Sequence, residues 1–118
     1  MTKQENDNLV DPAQVKAFAS KLALTDPVTV GQIASEFGTS RRTLQRQLAL
    51  QGFSLRAMVV ASRMEIARVL LCMTDLDVQD IADRLGYSTP SGFSRAFASW
   101  AGCSPQSFRK AAARRGHS

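Results

Sequence analysis

Apolar residues recur along this chain at three- and four-residue intervals and never in strict alternation. Ile33, Ala34 and Phe37 form one short stripe, Leu44 and Leu48 a second, Ile81, Ala82 and Leu85 a third, and Phe93 and Phe97 a fourth, with Trp100 expected beside them. The longest stripe, Leu55, Met58, Val59, Ser62, Ile66, Val69, Leu70 and Met73, predicts one helix over 55–73 with a single inward face. No Asn-Gly or Asp-Gly hairpin signal breaks the pattern, so the chain reads as helical throughout. Asp11-Pro12, Thr89-Pro90 and Ser104-Pro105 each pair a capping side chain with a proline at the first helical position, where the missing N–H has no partner to lose. Thr29-x-x-Gln32 spells a capping box, and Ser40 and Asp77 stand where they can cap the helices that follow. The expectation is an all-α fold with helices at 12–23, 30–37, 41–51, 55–73, 78–85, 90–101 and 105–113.

Two of these stripes repeat two others. Ile33, Ala34, Gly38 and Ser40 match Ile81, Ala82, Gly86 and Ser88 at an offset of 48. After one inserted residue, Leu44, Arg46 and Leu48 match Phe93, Arg95 and Phe97 at an offset of 49. Each copy reads as a short helix, a glycine stop, a turn and a second helix, which is the grammar of a helix-turn-helix. Small Ala34 allows the paired helices of the first copy to approach closely. The expected organisation is a flexible N-terminal tail at 1–10, a first helix-turn-helix subdomain at 11–53 and a linker helix at 54–74. A second subdomain at 75–113 and a basic C-terminal tail at 114–118 complete it.

With Leu44 and Leu48 inward, the opposite face of the first copy carries Arg42, Gln45, Arg46 and Ala49, flanked by Arg41 and Thr43. Arginine offers a planar fork to guanine O6 and N7, and glutamine can pair bidentately with adenine, so Arg42, Gln45 and Arg46 are base-reading candidates. Ser40, Arg41, Thr43 and the N–H groups at the helix start suit phosphate oxygens. In the second copy Ser91, Gly92, Arg95 and Ser99 face outward. The predicted linker is about 28 Å of helix at about 1.5 Å per residue. That length is of the order of one turn of B-DNA, about 34 Å.

Composition sharpens this picture mainly through charge. The 118 residues carry a net +5, which favours an acidic partner, nucleic acid first and anionic membrane second. Apolar content of 44% and charged content of 21% describe an ordinary globular chain, and no apolar run approaches a membrane span. The polar, acidic start MTKQENDNLV lacks the build of a signal peptide. Cys72 and Cys103 read as reduced core cysteines, and Met58, Met64 and Met73 as core filling. One histidine, His117, supports neither a zinc site nor a catalytic triad, so no metal, no cofactor and no enzymatic activity are expected.

From about residue 28 to 113, some three-quarters of the chain, the sequence resembles the DNA-binding domain of the AraC/XylS family of bacterial transcription regulators. The string IADRLGYSTPSGFSRAFASWAGCSPQSFRK carries the resemblance, supported by RMEIARVLL at 63–71. The resemblance implies seven helices, two helix-turn-helix units and a linking helix, with both recognition helices in major grooves on one DNA face. It places base-reading roles on Arg42, Gln45 and Arg46, with Ser91 and Arg95 in the equivalent places. Gly92 stands where the family usually carries a larger residue and is assigned to phosphate, and Pro90 replaces what is often a polar side chain. The implied partners are double-stranded DNA and RNA polymerase, for a monomeric DNA-binding unit in the cytoplasm with no membrane contact. The competing reading is a basic helical adaptor that meets an acidic protein without sequence-specific DNA binding.

Overall fold

A computed structural model of the chain describes residues 9–25 and 27–116. Seven helices and no strands occur among them: α1 Pro12–Leu22, α2 Val30–Glu36, α3 Arg41–Leu50, α4 Leu55–Met73, α5 Val78–Arg84, α6 Pro90–Ala101 and α7 Pro105–Gly116. The starts fall where the capping signals put them. Asp11 accepts the Ala13 N–H at 2.9 Å, Asp77 the Asp80 N–H at 2.8 Å, and Ser104 the Ser107 N–H at 3.1 Å. Each such cap contributes about 1 kcal/mol by satisfying an otherwise orphaned helix donor.

The chain divides into two compact units, residues 1–62 and 63–118, with the division inside α4. In the first unit α1 packs on α2 and α2 on α3. Its core is mostly aliphatic: Val15, Ala19, Val28, Ile33, Ala34, Leu44, Leu48, Leu55 and Val59 are buried. Phe18 and Phe37 meet edge-to-face at 6.1 Å beside it. In the second unit α5 packs on α6 and α6 on α7. Its core is aromatic, with Phe93 and Phe97 fully buried among Met64, Ala67, Leu71, Ile81, Ala82 and Leu85. Burying such a side chain stabilises the fold by about 1.5–3 kcal/mol. Trp100 does lie beside Phe97, centroids 5.8 Å apart, but at 36% exposure it edges the core instead of filling it.

Four expectations need correction. The single inward stripe of α4 holds only for its first half, where Leu55, Val59 and Ser62 are buried. The second half buries Met64, Ala67 and Leu71, while Val69 and Met73 are 46% and 77% exposed. A helix that serves a different core at each end need not keep one stripe. Cys72 follows the same logic: it lies on the outward side of α4 and is exposed, not a core residue. The last helix runs to Gly116, so residues 114–116 extend α7 instead of beginning a tail; 117 and 118, with His117, lie outside the described residues. Residues 1–8 of the expected N-terminal tail also lie outside them. Val10 is anchored: its N–H donates to Gln47 Oε1 at 3.1 Å and its carbonyl accepts from Gln51 Nε2 at 2.9 Å.

Candidate nucleic-acid interface

The first hairpin, α2 and α3, begins with the capping box. The Thr29 N–H donates to Gln32 Oε1 at 3.0 Å, and the Gln32 N–H donates back to Thr29 Oγ1 at 3.1 Å. It turns at Gly38, whose φ of 66° is open to glycine without Cβ strain. There the Gly38 N–H donates to the Ser35 carbonyl at 3.1 Å and the Thr39 N–H to the Ala34 carbonyl at 3.0 Å, closing the last turn as a Schellman motif. The second hairpin, α5 and α6, repeats this turn bond for bond. Gly86 has φ 86°, its N–H donates to the Asp83 carbonyl at 3.1 Å, and the Tyr87 N–H donates to the Ala82 carbonyl at 3.0 Å.

The two outer helices then start alike. Ser40 Oγ accepts the Thr43 N–H at 3.1 Å, and Thr89 Oγ1 accepts the Gly92 N–H at 3.0 Å. By role, then, Thr89 and not Ser88 takes the place of Ser40. The extra residue of the second copy sits in the turn ahead of the cap.

Below the caps, Leu44 and Leu48 fix the inward face of α3, and Phe93 and Phe97 that of α6. Arg41, Arg42, Gln45 and Arg46 are exposed on α3, and Ser91 and Arg95 on α6, as their spacing requires. An open cleft of about 520 Å³ is lined by Val30, Ser40, Arg41, Arg42 and Gln45, so one flank of α3 joins polar forks to an apolar contact. Val30 was not anticipated at the site. It belongs to the preceding helix, and only the crossing of α2 and α3 brings it there.

The residues assigned to phosphate fare unequally. Ser40 Oγ also donates to Thr43 Oγ1 at 3.0 Å, so the Ser40 hydroxyl is committed to the cap while the Thr43 hydroxyl proton remains able to point outward. The Gly92 N–H is likewise committed, to Thr89 Oγ1. A Cβ at Gly92 would meet that same oxygen at 3.2 Å, which ties the glycine to the cap.

A helix-turn-helix domain model of the AraC type matches residues 33–111, from within α2 to within α7. The chain belongs to that family. Among curated relatives, this AraC-type domain is 39% identical over 89 residues to the transcriptional activator NphR of a Rhodococcus species, covering 75% of this chain and 27% of NphR. It is 36% identical over 80 residues to the ornithine utilization regulator of Pseudomonas aeruginosa, covering 68% and 24% respectively. The chain thus spans about a quarter of the length of the curated relatives it matches. Among solved structures, the DNA-binding domain of AdpA in complex with a target DNA matches with a TM-score of 0.71 at 31% identity, over 92% of this chain and 100% of that one. The C-terminal domain of AraT, a response regulator from Geobacillus stearothermophilus, matches with a TM-score of 0.70 at 30% identity, over 88% of each chain.

Proposed function

We propose that this AraC-type domain binds double-stranded DNA sequence-specifically as a monomer, with α3 and α6 in two successive major grooves of an asymmetric site. The observation that carries the reading is the duplication within one chain of a hairpin with the same glycine turn and the same cap. Each copy presents the outward face of its second helix. The AdpA domain, similar over nearly the whole chain, was solved in complex with a target DNA, which supports DNA as the partner.

Arg42, Gln45 and Arg46 read base edges from α3, and Arg95, with Ser91 at closer range, does so from α6. Arg41 and the Thr43 hydroxyl meet phosphate, and Ser40 holds the helix start that presents them. The domain works by binding, without catalysis or a cofactor, in the cytoplasm of a bacterium. RNA polymerase is the partner through which a bound regulator of this kind acts.

The test is a duplex carrying both half-sites with 5 base pairs inserted between them. About half a helical turn then carries the second groove to the opposite face, and affinity should fall sharply. Equal binding at both spacings would overturn the two-groove reading. Weak binding that ignores DNA sequence and vanishes as salt rises would favour the adaptor.

A further inference from the structure

At the end of α4 one side chain from α7 reaches the Leu70 and Leu71 carbonyls of the last turn and the Thr74 carbonyl just past it. The Leu70 carbonyl also accepts the Thr74 N–H at 3.2 Å. Arg109 Nε donates to the Leu71 carbonyl at 3.0 Å, and its Nη2 donates to the carbonyls of Thr74 at 3.2 Å and Leu70 at 3.4 Å. Thr74 Oγ1 donates to the same Leu70 carbonyl at 2.6 Å. A guanidinium suits this place twice over. Its donors are fixed in one planar fork, and its charge faces the negative end of the α4 dipole.

The neighbour of Arg109 points the other way. The Phe108 ring stands edge-on to Phe97 at 5.4 Å, and Phe97 lies on the buried face of α6. A continuous chain of contacts therefore runs from the end of α4 through Arg109 and Phe108 to Phe97, on the helix that carries Arg95 outward. Farther up α4, the Arg63 guanidinium lies over the Tyr87 ring at 5.2 Å, a second tie between α4 and the second hairpin.

We propose that Arg109 is a positioning residue: by clamping the last turn of α4 to α7 it fixes where α6 meets DNA, and so sets the tolerance of the domain for half-site spacing. This rests on the two-groove reading above. A one-base-pair change displaces the second groove by about 3.4 Å and about 35° along and around the duplex. A rigid joint resists that displacement and a loosened one accommodates it. Arg109→Ala should therefore broaden the spacing profile. A residue that merely stabilised the fold would, when replaced, lower affinity at every spacing alike and leave the profile's shape unchanged.

The experiment measures fluorescence anisotropy on a bipartite duplex selected with the wild-type domain and on versions with one or two base pairs added or removed. Trp100, the chain's one tryptophan and 5.8 Å from Phe97, reports whether the second core is intact. Wild type should lose about tenfold in affinity for one base pair, a difference of the order of one misplaced contact. Arg109→Ala with native Trp100 emission should lose much less. A sharp wild-type profile retained in shape by Arg109→Ala overturns the proposal. A flat wild-type profile overturns the two-groove reading itself, and this proposal with it. Where Arg109→Ala disturbs Trp100, Arg109→Lys decides, because it keeps charge and stem but replaces the fork by a point ammonium. A broadened profile supports the clamp, and a wild-type profile overturns it.

Discussion

The two hairpins share their backbone chemistry and little else. Both turn on a positive-φ glycine with the same pair of carbonyl bonds, and both start the outer helix with a hydroxyl on the N–H three residues on. Inside, Leu44 and Leu48 pack among aliphatics, whereas Phe93 and Phe97 join Tyr87, Trp100 and Phe108 in rings 5.4–5.9 Å apart. Outside, α3 shows Arg42, Gln45 and Arg46, while α6 shows Ser91 and Arg95 with Gly92 drawn into the cap. The turn geometry admits few residues and therefore repeats. The core accepts any set of side chains that fills its volume, and the outward face answers only to the partner. From matching turns and caps with unequal faces we propose a division of labour in which α3 discriminates and α6 mainly adds affinity.

The largest effect should separate the two cores. Phe97→Ala removes a ring that touches three others and should cost about 3–5 kcal/mol; Leu48→Ala should cost about 2–5 kcal/mol. Thermal melts followed by circular dichroism give both values. Native-state Trp100 emission should shift for Phe97→Ala and hold for Leu48→Ala. An equal shift in both would show that the cores are not separate.

Next in size is the contrast between the outward arginines. Arg46→Ala should cost about 1–3 kcal/mol on the preferred site and relax the preference at one base pair. Arg95→Ala should cost less and relax the preference in its half-site only weakly. Competition anisotropy against single-position variants of the site distinguishes these outcomes, and the reverse order would invert the division of labour.

Where the hairpins are alike, their responses should be alike. Gly38→Ala and Gly86→Ala each force a Cβ into the left-handed region, at about 1–2 kcal/mol. Nothing lies near enough to a Cβ at Gly38 to add to that strain. A clear difference in melting temperature between the two variants would mean that the turns are less equivalent than their hydrogen bonds.

Periodicity and caps were enough to locate every helix, because each start carries a side chain whose purpose is local. The end of α7 was missed for the same reason: Ala111, Ala112 and Ala113 continue a helix without marking where it stops. The inward face of α4 could not be read beyond Ser62, since Met64, Ala67 and Leu71 are no more apolar than Ile66, Val69 and Met73. Only the core they meet decides between them. The role of Gly92 was within reach, as counting from Thr89 as cap puts its N–H on the capping hydroxyl. The three carbonyls held by Arg109, and the grip of Gln47 and Gln51 on Val10, depend on residues 35–41 positions apart and leave no local trace.

The division of labour between α3 and α6 is tested most directly by selecting binding sites for the wild-type domain from a random DNA pool. Three long side chains on α3 against one on α6 predict a sharply defined half-site and, about one helical turn away, a degenerate one. Two equally sharp halves would contradict it, and would assign to Ser91, bridging water or DNA shape a share of the reading that the side chains of α6 do not supply.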